Sequence, residues 1–156
     1  MPDTKKILKV LRDDLTLQTR HCKVLEAQEL ALLTCNRALF AQTQEQHAAL
    51  VAKLEVQDTA RRAALVDGDG QPITLSGLKG IAPESSLRGL DALENGLKHI
   101  LEQVQTLTRR NRSLIQNELD YIAFSLDLFV EAGRTAGDGY GGAGIAAGRL
   151  LMDRRA

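Results

Sequence analysis

The chain has 156 residues, 44% of them apolar, which is enough for one domain with a buried core and too apolar for a disordered chain. Its 20 acidic and 20 basic residues cancel, so no long-range field recruits a polyanion or an anionic membrane, and nucleic acid is a poor partner. Few aromatic or β-branched residues and three prolines stand against abundant Leu, Ala, Gln, Glu and Arg, and this composition predicts an all-α fold.

The opening Met1-Pro-Asp-Thr-Lys-Lys6 leads into an interrupted apolar pattern and not a secretory signal. No run approaches the roughly 20 apolar residues that would cross a bilayer, so a cytoplasmic protein without membrane insertion is expected. No glycine precedes Gly68 and no proline falls between Pro2 and Pro72, so nothing obliges a helix to stop. One apolar stripe runs through Leu8, Leu11, Leu15, Cys22, Leu25 and Leu32, a second through Phe40, His47, Leu50, Val51, Leu54 and Leu65. A single helix of that length would reach roughly 90 Å, too long for a compact domain, so the chain must reverse. Leu33-Thr34-Cys35-Asn36 is the best site, because Thr and Asn bond local backbone groups and can cap a new helix. Helices over about 4–33 and 36–65 follow. Cys22 and Cys35 belong to no Cys-x-x-Cys pair and read as reduced, inert thiols.

Residues 66–86 hold four glycines and two prolines and interrupt the helical pattern. A structureless loop of this length is uncommon, so Leu75, Leu78 and Ile81 are expected on a short helix, about 75–81, that plugs one end of a bundle. A third long helix is expected over about 86–132, with Gly133 as its C-terminal cap and Gly89 and Gly96 allowing close helix approach. The expected architecture is an antiparallel long-helix hairpin plus a longer third helix, a three-helix coiled-coil-like bundle over 1–133, followed by a flexible Gly-rich tail over 134–156.

Helices of about 30 residues span roughly 45 Å and the third, of about 47, roughly 70 Å, so its last turns are expected to project beyond the hairpin. Asn111 occupies the register of Leu90, Leu97 and Val104, where a polar residue costs stability but fixes register. Beyond it the apolar stripe shifts to Leu114, Ile115, Tyr121, Ile122, Leu128 and Phe129, which suggests two successive partners on two faces of one helix. Three of the five aromatic rings, Tyr121, Phe124 and Phe129, lie in this stretch. Exposed apolar surface of that kind marks an interaction site.

Catalytic chemistry finds no footing. Gly137-Asp-Gly139-Tyr-Gly-Gly142 has the spacing of a dinucleotide-binding loop but follows a helix where a strand is needed. Asp67-Gly-Asp69-Gly resembles half of a calcium loop, yet Pro72 and Leu78 stand where the essential Gly and Glu belong, and an ordinary turn is the better account. His21, His47 and His99 are scattered, form no metal-binding spacing, and lack the Lys-Gly that follows a phosphotransfer histidine. Arg109, Arg110 and Arg112 have Glu102, Glu118 and Asp120 as sequence neighbours and read as a solvated face. No catalytic residue, metal site or cofactor is expected, and the chain does not read as an enzyme.

Several segments in order carry a resemblance: the leucine-rich Leu25 to Leu33, a second helix ending Ala60-Arg-Arg-Ala-Ala-Leu65, the plug Thr74-Leu75, then Arg110-Asn111-Arg112-Ser-Leu114. Tyr140-Gly-Gly and the basic end Met152-Asp-Arg-Arg-Ala156 complete it. Together they resemble the FlgN-type flagellar type III export chaperones. The resemblance implies a helical cytoplasmic chaperone, using no nucleotide, that binds the C-terminal regions of the hook-associated junction proteins. It also implies delivery to the export gate or to components of the export ATPase complex. Its cargo-binding segment maps onto Leu114, Ile115, Tyr121, Ile122, Leu128 and Phe129, and its gate-binding tail tyrosine onto Tyr140. The extra glycines around Tyr140 and the apolar Leu150-Leu151-Met152 depart from the family pattern. The competing reading is a structural coiled-coil adaptor or homodimeric scaffold without chaperone activity.

Overall fold

A computed structural model describes residues 3–137. They form four helices, α1 (Thr4–Leu33), α2 (Arg37–Ala64), α3 (Leu75–Ile81) and α4 (Glu84–Gly137), and the described residues contain no strand. The chain is all-α, with α1 and α2 packed together as an antiparallel hairpin. Pairings of Val10 with Gln57 and of His21 with His47 give the opposite running directions.

Each boundary has a local cause. The Asp3 carboxylate accepts from the Lys5 and Lys6 amides at 3.1 and 3.2 Å, satisfying orphan donors of α1. At its other end Asn36 N–H donates to Ala31 O (2.9 Å) and Cys35 N–H to Leu32 O (3.3 Å), the paired bonds of a Schellman motif. Asn36 then caps α2, its side chain accepting from Leu39 N–H at 3.0 Å. Two adjacent caps thus complete the reversal at Thr34-Cys35-Asn36 within three residues.

The chain clusters into two compact units, one ending at Leu114 and one beginning at Ile115. In the first unit, Ile7 and Leu11 of α1, Leu78 of α3, and Leu90, Leu93 and Leu97 of α4 form one buried cluster. Each such side chain contributes about 1.5–3 kcal/mol when fully buried. A second cluster joins Cys22 and Leu25 to Ile100, Val104 and Leu107. Gly96 permits the helices to approach between them, since a Cβ there would stand 3.3 Å from Leu15 Cδ2.

The short helix α3 inserts Leu78, which is fully buried, with Leu75 packed at the cluster's edge. Ile81, expected beside them, is 52% exposed. Six residues at 3.6 per turn carry it about 120° away from Leu75, off the buried face. Lys79 ties α3 to α4 through Asp91 (2.6 Å) and Glu94, and its bonds to those carboxylates raise its pKa.

The long helix differs from expectation at its C-terminal end. It begins at Glu84, directly after Pro83, and continues through Gly133 to Gly137. Gly133 does not cap because Arg134, Thr135 and Ala136 extend the helix, at a propensity cost of about 1 kcal/mol.

Candidate functional site

The last buried side chains of α4 are Leu107 and Asn111. Asn111, 3% exposed, donates through Nδ2 to Leu25 O (2.9 Å) and to Gln28 Oε1 (3.0 Å). These bonds lock the α1–α4 register that an apolar residue would leave free to slide, which is the usual reason to accept a buried amide. Arg110 and Glu29 pair beside it at 3.6 Å.

Beyond Asn111 the pattern of burial changes. No side chain from Ile115 to Gly137 is buried. Of the six residues singled out from the sequence, Leu114 and Ile115 are half-buried, while Tyr121 is 68%, Ile122 49%, Leu128 55% and Phe129 76% exposed. Leu119, Phe124 and Leu126 are exposed large apolar residues of the same segment that the six omit. The clustering of rings already pointed to Phe124.

Seven-residue spacing orders these side chains into rows. Leu114, Tyr121 and Leu128 make one row, Ile115, Ile122 and Phe129 a second, and Leu119 and Leu126 a third. The first two rows flank Glu118 and Ser125 about 100° apart and the third lies about 40° further round, a spread wider than the single seam that one partner helix covers, so full burial requires contact from two sides. Residues 115–137 are also acidic: four carboxylates, Glu118, Asp120, Asp127 and Glu131, stand against one basic residue, Arg134, a net charge of −3. Gln116 Nε2 donates to Asp120 at 2.9 Å, and Arg134 lies 3.9 Å from Glu131.

Tyr140 lies outside the described residues, as does most of the Gly137 to Gly142 motif. The remaining candidates resolve into local structure. The Asp67 carboxylate accepts from the Asp69 and Gln71 amides at 2.9 and 2.8 Å, closing a turn with Gly70 at φ 77°. Cys22 and Cys35 are both unpaired, and burial, then the Glu26 carboxylate, raises the Cys22 pKa and holds it as a thiol. Among the described residues no three His, Cys, Asp or Glu side chains gather into a metal-binding group, and no helix is long and apolar enough to cross a membrane.

The α1–α2 seam carries polar contacts too, at positions to which sequence periodicity gives little guidance. Asp14 is 5% exposed and meets Arg61 at 3.3 Å. Burial raises its pKa, Arg61 opposes that, and Asp58 adds to it. His21 and His47 face each other across the same seam.

Neither a curated protein sequence nor a solved structure matches this chain. The sequence model of the family described as FlgN protein matches residues 1–148, nearly the whole chain and all four helices, so this protein belongs to the FlgN family of flagellar export chaperones.

Proposed function

We propose that the chain acts in the cytoplasm as an export chaperone that holds the C-terminal regions of hook-associated junction proteins against the distal half of α4. The observation that carries this reading is the set of large apolar side chains from Leu119 to Phe129, Leu119, Tyr121, Ile122, Phe124, Leu126, Leu128 and Phe129, none of them buried among the described residues. Leaving them in water is unfavourable, and covering three or four at about 1.5–3 kcal/mol each supports micromolar or tighter binding after the costs of association. Cargo termini that form helices supply anchors at i, i+3, i+4 and i+7. Leu114, Ile115, Tyr121, Ile122, Leu128 and Phe129 are the proposed cargo contacts, extended by Leu119, Phe124 and Leu126.

Delivery to the export gate or the export ATPase complex is assigned to the tail, with Tyr140 as its contact. Segregating the two tasks leaves cargo held while the second partner is engaged. The direct test is co-purification of the full chain with the C-terminal regions of the junction proteins. A stable complex supports the assignment; a stable homodimer with no affinity for them favours the coiled-coil scaffold instead. Tyr140→Ala should retain cargo binding while lowering cargo secretion, and loss of binding would show that the two roles are wrongly divided.

A further inference from the structure

His21 and His47 come from different helices and are 26 residues apart, yet their Nε2 atoms are 3.2 Å apart and their ring centroids 5.2 Å, with the planes inclined by 41°. Both rings are half-buried, so they are held in place but remain accessible from solvent. Two imidazole nitrogens each about 2.0–2.1 Å from one ion stand about 2.9 Å apart at a right angle and about 3.3 Å at the tetrahedral angle. The observed separation lies within that interval. We propose that His21 and His47 form a two-imidazole chelate for a late first-row divalent ion, Zn2+, Ni2+ or Cu2+, which staples α1 to α2 and takes its remaining ligands from water.

The chemistry balances without an added reactant. With both rings neutral, one of the facing nitrogens carries the proton of an N–H···N bond and the other a lone pair. Ion binding requires the donor ring to carry its proton on Nδ1 instead, so that both Nε2 atoms present lone pairs and net protonation is unchanged. Burial and the facing ring both disfavour a charged His21, which keeps it in the ligating form. Imidazole selects these metals over Mg2+ and Ca2+, which require oxygen ligands.

The test uses the untagged full chain carrying Cys35→Ser, because the exposed Cys35 thiol is a competing soft ligand. Chemical denaturation near neutral pH is followed with ZnCl2, NiCl2 or MgCl2. At 100 times its Kd, zinc or nickel should lower the unfolding equilibrium constant about 100-fold, while magnesium leaves it unchanged. His21→Gln and His47→Gln, verified as helical by circular dichroism, should each remove most of that effect, and His99→Gln should retain it. The parent protein with Cu2+ gives a readout independent of whether those variants fold, since paramagnetic resonance should show two coordinated imidazole nitrogens. Absence of zinc and nickel binding, a full effect in both variants, or a single-imidazole copper spectrum would overturn the proposal.

Discussion

Cys35 holds a left-handed backbone, φ 52°, at the residue where a Schellman motif usually has glycine. An L side chain there costs about 1–2 kcal/mol, part of which glycine would return as entropy of the unfolded chain. Cys35→Gly should therefore stabilise the protein by about 0.5–1 kcal/mol, seen as a higher urea midpoint at unchanged slope. A lower midpoint would mean that the exposed thiol makes a favourable contact. The residue is instructive for reading sequences as well: Thr34 and Asn36 announce the reversal, while nothing in the sequence shows that cysteine takes the strained position. Asn111 was the opposite case, legible as a register-setting amide because it interrupts an otherwise apolar row.

At the scale of elements, α1 and α4 were readable because their apolar periodicity serves large cores. The helix α2 fully buries only Thr43 and Leu50, so its periodic signal is weak, and several of its contacts with α1 are polar ones that spacing does not reveal. Asp14 with Arg61, and His21 with His47, are pairings between residues 26 or more apart, which only the packed hairpin brings together. They make the seam sensitive to pH. The folded-state pKa of His21 is lowered from 6.5, so the unfolded chain takes up this proton first as pH falls. Stability should decline as pH drops from about 7 through 6.5 toward the lower folded pKa, and His21→Gln should flatten that decline. Asp14 acts with the opposite sign at lower pH, because its folded pKa is raised from 3.8 and the native state binds that proton first. Denaturation midpoints across pH 5–8 in both proteins measure the effect, and identical pH profiles would contradict it. The end of α4 departs from expectation for a related reason: a glycine followed by helix formers need not terminate a helix, and local propensity at Gly133 does not show that Thr135 and Ala136 continue it.

At the scale of the whole molecule, the two compact units divide apolar residues in different ways. The unit ending at Leu114 packs its leucines at the α1–α3–α4 contacts, Leu11, Leu25, Leu78, Leu90, Leu93, Leu97 and Leu107, into two buried clusters, whereas among the described residues of the one beginning at Ile115 no side chain is buried. The shift of the apolar stripe past Asn111 and the clustering of Tyr121, Phe124 and Phe129 indicate this division in the sequence, although the breadth that Leu119 and Leu126 add to the face is not legible from the stripe. Recognition, in the proposed function, rests on the exposed apolar side chains of the distal half of α4. Titration calorimetry of the full chain against a junction-protein C-terminal region, with and without Leu128→Asp and Phe129→Asp together, tests that account most directly. A loss of at least 100-fold in affinity with helicity preserved, equivalent to about 2.7 kcal/mol, is the predicted result. Unchanged affinity would contradict the assignment of the distal half of α4 as the cargo-binding face.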